Sequence, residues 1–225
     1  MNPTVDIIII GHLTRNAYWN ETAPVRPPLA TTALIRSPQG NILVDPSAAG
    51  DLMTLRLFER SGLTPDRIDA VFLTSLHPTH RRGLSVFDDA RWYTGEKERD
   101  AVAGHLQRAL ESDETHDDEE IERELALVGR TEPAPENLMD KVHLFPCPGV
   151  SPGGCGLLVT ALQTTVIAGD AVLTRDHFEH AAVGEQAADE ALARQSLADI
   201  YEVADLIVPG HDNVFCPATR MMAGI

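Results

Sequence analysis

Cysteine is scarce in this chain: Cys147, Cys155 and Cys216 are the only three in 225 residues. Three thiols cannot build a disulfide scaffold, and their scarcity points to a reducing, cytoplasmic setting. Long apolar runs are also missing. No stretch approaches the roughly 20 residues a membrane-spanning helix needs, so no membrane span is expected. The first six residues carry no basic side chain, so a secretory leader is not expected either. Positive charge is in deficit, with 18 Lys and Arg against 34 Asp and Glu and a net charge of −16. A surface of that sign repels phosphate backbones and anionic membranes, which argues against nucleic acid as a partner. What remains is an ordinary folded composition, 43% hydrophobic and 23% charged, long enough to bury a sizeable core.

Short β-branched runs alternate with helical spacings along the whole chain. Residues 5–10 read as a strand. Residues 11–28 read as a long loop containing His12, Tyr18, Trp19 and three prolines. Residues 31–36 and 41–44 are apolar and separated by Ser37-Pro38-Gln39-Gly40, a turn signal that makes them a hairpin. Residues 51–61 have helical spacing through Leu52, Leu55 and Phe58, with Gly62 as a stop. Residues 96–110 form a second helix. Nine acidic side chains follow between 111 and 124, a solvated loop or a helix start. Ile121, Leu125 and Val128 then line one face of a third helix. His105 and His116 lie in this region and receive no ligand role. A further hairpin spans 156–160 and 164–168, an alanine-rich helix 187–203, and a last strand 206–208.

The chemistry gathers where strands stop. The run 70–74 ends in Ser75-Leu76-His77-Pro78-Thr79-His80, followed by Gly83. Two imidazoles projecting from a rigid strand tip make a candidate metal site. Two later apolar runs end in Ala168-Gly169-Asp170 and in Pro209-Gly210-His211-Asp212. A carboxylate directly after a buried strand is more than a solvated charge, so Asp170 joins the candidates.

Residues 74–83 resemble the T-H-x-H-x-D-H-x-G signature of the metallo-β-lactamase-fold hydrolases. The likeness extends to Ile42-Leu43-Val44-Asp45-Pro46. It includes Cys147-Pro148-Gly149-Val150-Ser151-Pro152-Gly153, where the family reads T-P-G-H-T-P-G, and ends with Gly169-Asp170 and Pro209-Gly210-His211. Five motifs in this order cover roughly residues 30–216. The resemblance implies a four-layer αββα sandwich of two facing mixed sheets with helices outside. The length is that of one domain over residues 1–225, with an acidic helical insertion at about 95–140 that reads most plainly as a surface helix pair but could cover the site or mediate a homodimer. The site would lie where the strand-end loops meet.

The departures fall on ligand positions. Ser75 stands at the family's first histidine, Thr79 at its aspartate and Val150 at its fourth histidine. The resemblance therefore implies that one of two metal sites has lost most of its ligands. The other retains His80, Asp170 and His211, with His77 as a fourth ligand or a hydrogen-bond partner to substrate. It also implies a supporting role for Asp45 beside the metal, where the residue by itself reads equally as a turn or cap. His12, Cys147, His177 or His180 could replace lost ligands, although a surface histidine or a small buried thiol is the plainer reading of each.

Two histidines and a carboxylate suit one divalent ion, zinc ahead of iron. The expected function is a metal-dependent hydrolase, mononuclear at most, acting on a small ester, thioester or lactone. The alternative is a catalytically degenerate relative, with or without a metal, that binds a ligand or partner in the old pocket. A ferrous dioxygenase is a weaker third option.

Overall fold

Alternation along the strands sorts the apolar side chains into three contact layers, and these define the architecture. The computed structural model of the chain describes residues 2–112 and 117–217; His116 lies outside them. The first sheet contains β1 (Thr4–Ile9), β2 (Thr32–Ser37), β3 (Gly40–Val44), β4 (Ala70–Phe72), β5 (Arg91–Thr94) and β6 (Glu132–Pro133), in that spatial order. Its first three strands are antiparallel, and β3 to β6 run parallel. The second sheet contains β7 (Asn137–Met139), β8 (Val142–Pro146), β9 (Cys155–Thr160), β10 (Thr164–Gly169) and β11 (Leu206–Pro209), in the order β11-β10-β9-β8-β7. Only β10 and β11 are parallel there.

Side chains at alternate positions point to opposite faces. Ile35, Ile42, Val44 and Phe72 of the first sheet meet Leu157, Val159, Ile167 and Val208 of the second. Their neighbours Leu34, Leu43 and Val71 face outward, onto Met53 and Leu57 of helix α1 (Gly50–Ser61). On the far side, Val166, Ala168 and Ile207 pack against Leu197 and Ile200 of a C-terminal helix. The result is the expected αββα sandwich.

Both expected hairpins form, with the β2–β3 turn closing between Ser37 and Gly40. Helix α1 ends as read, with Gly62 at φ 72° capping Phe58 O. Its buried face differs from the spacing first picked out. Leu52, Leu55 and Phe58 are 45%, 51% and 56% exposed, while Met53 and Leu57 are buried. Apolar residues surround this helix, so periodicity alone cannot select the face that packs.

The short helix α2 spans Pro78–Arg81 and carries His80. Helices α3 (Glu96–Leu110) and α4 (Asp118–Arg130) reach the outer core through Val102, Leu106 and Val128. Asp117 caps α4 by accepting from Glu120 N, and three acidic residues fill its first turn. There they face unpaired amide groups, so part of the acidic run is a helix start. A short helix, α5 (Arg175–Glu179), follows the second hairpin. Helix α6 spans Glu190–Val203. It starts later than residue 187 because the Asp189 carboxylate accepts from Leu192 N and fixes the N-cap there.

Four strand ends converge on one edge. Asp45 follows β3, Thr74 follows the β4 run, Asp170 follows β10, and His211 follows β11. Parallel pairing places Gly169 opposite Pro209, which sets Asp170 beside the loop carrying His211.

Candidate metal centre

Asp45 anchors the site from below. It is 2% exposed and has φ 50°, a left-handed conformation that aspartate tolerates. Its carboxylate accepts from Thr74 N at 2.9 Å and from Thr74 Oγ1 at 2.6 Å. It also lies 3.1 Å from Nδ1 of the fully buried His80. A carboxylate can only accept, so Nδ1 of His80 carries a proton. In the neutral ring, Nε2 is then a bare lone pair. It faces Asp170 Oδ2 at 3.1 Å.

His211 is held in the same tautomer by a different group. Its Nδ1 donates to the backbone carbonyl of Leu29 at 2.9 Å. Its Nε2 lies 3.1 Å from Asp170 Oδ1, yet that oxygen is buried and without a hydrogen-bond partner. Two imidazole lone pairs therefore converge on one carboxylate. Acceptors facing acceptors repel unless a proton or a cation lies between them.

Ligand atoms of His80, Asp170 and His211 all lie within 4.8 Å of one another, the only such His, Cys, Asp or Glu group among the described residues. The donor types, the orphaned Asp170 oxygen and the tautomers fixed from behind all fit a divalent ion. Without one, the pocket compensates with protons. Burial pushes the His80 pKa down, but Asp170 and Asp45 outweigh it and hold the imidazole well above its ordinary value. Burial likewise raises Asp170, and the His80 charge together with His211 more than reverses this, leaving its carboxyl well below the usual range.

Two glycines make the close approach feasible. A Cβ at Gly169, where φ is 53°, would lie 2.3 Å from Thr74 Oγ1. A Cβ at Gly210 would lie 2.7 Å from Asp170 Oδ1.

His77 stands apart from this cluster. Its Nδ1 caps α2, accepting from Thr79 N, and lies 2.6 Å from Thr79 Oγ1. Nε2 then carries the proton and offers a donor rather than a metal lone pair. Burial lowers the His77 pKa, aided by the nearby His80.

The remaining candidates have other partners. His177 Nδ1 lies 2.7 Å from Thr174 Oγ1, while His180 donates to Asp176 O and stacks on Tyr18. Cys147 is buried, and burial pushes its thiol well above the ordinary value, which opposes a thiolate ligand. His12 pairs by its backbone with Leu29, and its buried Nδ1 has no partner among the described residues.

A cavity of about 990 Å³ opens over Asp170 and His211, bounded by the 11–28 loop, α3, α4 and the loop after α5. Ser75, His77, Thr79 and Val150 all line it, as does His105. So does Glu98, which the sequence reading passed over as a helix residue. It is 2% exposed. It accepts from Ser151 Oγ at 2.6 Å and is approached by Ser75 Oγ at 3.5 Å and Leu76 N at 3.4 Å. An acidic residue in a helix's first turn gives no sign that it faces inward. The Leu29 carbonyl that orients His211 has no sequence signal at all.

The metallo-β-lactamase superfamily model matches residues 25–211. The chain belongs to that superfamily. No curated protein is similar enough in sequence to match it. Solved structures share its fold at low identity. A putative metallo-β-lactamase from Thermotoga maritima superposes with a TM-score of 0.69 at 18% identity, covering 96% of this chain and all of that one. A quorum-quenching N-acyl homoserine lactone lactonase gives a TM-score of 0.68 at 21% identity, covering 94% and 93%. AidC, a dizinc quorum-quenching lactonase, gives 0.65 at 17% identity, covering 81% and 72%. No helix among the described residues is long and apolar enough to cross a membrane.

Proposed function

We propose that this superfamily member is a metal-dependent hydrolase of a small ester, thioester or lactone, using at most one ion held by His80, Asp170 and His211. The observation that carries the reading is the convergence of two oriented imidazole nitrogens on Asp170, His80 facing Oδ2 and His211 facing the unpaired Oδ1. That donor set favours zinc over iron. A zinc ion bound there supplies Lewis acidity toward a carbonyl and brings the pKa of water to about 7. Asp45 and the Leu29 carbonyl place the proton of each neutral ring on Nδ1, which leaves the Nε2 lone pairs to that ion. The Nε2–H of His77 is a donor available to a substrate carbonyl oxygen in the cavity. Thr79, engaged with His77, supplies neither a carboxylate nor a base. The structurally similar lactonases act on lactones by name, which makes lactones the first class to test.

A second reading draws on Ser75 and Val150. One hydroxyl is directed at Glu98 and the other position is alkyl, so the chain could bind a ligand without turning it over. Metal content by plasma mass spectrometry, on protein purified without added metal or chelator, separates the two. About one zinc per chain, lost together with ester, thioester or lactone hydrolysis in Asp170→Ala, is expected. A metal-free chain that takes up none from micromolar zinc would favour the binding protein, and iron in place of zinc would redirect the chemistry toward dioxygen.

A further inference from the structure

Glu98 is a buried carboxylate in the wall of the cavity with no cation beside it. Its donors are two serine hydroxyls and one backbone amide. No Lys, Arg or His pairs with it among the described residues. A carboxylate removed from water normally requires a counter-charge. Three neutral donors occupy only part of its acceptor capacity of about four lone pairs. The position is held deliberately close: Gly153 packs so tightly that a Cβ there would lie 2.0 Å from Glu98 N. That contact brings Ser151 onto the carboxylate.

The rest of the lining has the same sign. The two arginines that reach the cavity are already neutralised, Arg81 by Glu124 and Arg15 by Glu185. Asp117 and Glu120 add further negative charge near α4. The whole chain, at −16, draws cations toward such a cleft and repels anions.

We infer that Glu98 is a specificity-determining residue that receives an ammonium group of the substrate, so that the preferred substrates are amine-bearing esters or lactones rather than neutral or anionic ones. This rests on the hydrolase reading for the reaction but not for the binding preference. The ammonium would meet Glu98 in the part of the cavity lined by Ser75 and Ser151. It would provide the counter-charge that the protein itself omits.

The test uses zinc-loaded full-length protein and ω-amino methyl esters of four to seven carbons, each paired with its ω-methyl counterpart. Affinity is measured by calorimetry, and hydrolysis is followed separately. For at least one chain length the ammonium member should bind about tenfold tighter or better, equivalent to ~1.4 kcal/mol. Glu98→Gln should bring that ratio to about one while retaining bound zinc. Ser151→Ala removes the 2.6 Å donor yet keeps the carboxylate, so its preference should persist or grow; it serves if Glu98→Gln does not fold. Equal affinities in the unmodified protein, no binding of either series, or an undiminished ratio in Glu98→Gln would each overturn the assignment. Ammonium preference without turnover would sustain it and remove the hydrolase reading. Hydrolysis of both series at equal affinity would do the reverse.

Discussion

Replacing Asp45 by asparagine tests the reasoning about the metal centre without touching a ligand. Asparagine tolerates the left-handed backbone at this position, so the loop has no reason to move. Its carbonyl can still accept from Thr74 N. The amide NH2 then replaces the oxygen that faces both Thr74 Oγ1 and His80 Nδ1. The threonine hydroxyl can rotate to accept. The imidazole can avoid two opposed donors only by moving its proton to Nε2, the atom needed by a metal. Loss of such an outer partner typically costs 10–100-fold in metal affinity, or about 1.4–2.8 kcal/mol. Competition with a chromophoric zinc chelator measures that constant directly, with circular dichroism as a check on folding. An affinity within twofold of the unmodified protein would show that Asp45 does not set the His80 tautomer, and the argument for the site would fail at its base.

Other outcomes follow from the same coordinates. Gly210→Ala would put a methyl group 2.7 Å from Asp170 Oδ1, so zinc binding should fall sharply in the same competition assay while the secondary structure persists. Phe72 is fully buried between the sheets, and Phe72→Ala should cost about 3–5 kcal/mol in urea unfolding. Disulfide-exchange labelling of the native protein should modify the half-buried Cys216 first and leave Cys147 and Cys155 unreacted until unfolding. Burial pushes the Cys155 thiol up to about 12, whereas an unfolded thiol ionises near 8.5. Between those values the native state retains a proton that the unfolded state releases. Stability should therefore fall as pH rises above about 9, by roughly 1.4 kcal/mol per pH unit for this thiol. Cys155→Ser should make that part of a pH series of unfolding free energies less steep, with the buried Cys147 thiol supplying a remaining slope of the same sign.

Much was legible in sequence because it depends on local periodicity. Strand alternation in residues 31–44 and 156–168 gives the hairpins directly, since side-chain direction in a strand follows from the backbone alone. Strand ends carrying His80, Asp170 and His211 could be picked out for the same reason: a chemical group after a buried run lies at a sheet edge. The motif order supplied the sandwich into which those edges fit. What the sequence could not resolve depended on contacts between distant segments. Leu52, Leu55 and Phe58 obey helical spacing as well as Met53 and Leu57 do, and only packing against the first sheet selects the second pair.

The site divides in the same way. Residue types alone determined that two imidazoles and a carboxylate were available to one edge. Their protonation was decided by tertiary contacts, a carboxylate 35 residues away for His80 and a backbone carbonyl 182 residues away for His211. The motif left His77 open as a fourth ligand or a hydrogen-bond partner to substrate, and the start of α2 turns its Nδ1 back onto Thr79. Glu98 reads as a helix-start residue until the loop at Gly153 closes over it. Backbone periodicity is a local property that a sequence carries in itself. Which lone pair faces which neighbour is a property of segments brought together, and it exists only once the chain has folded.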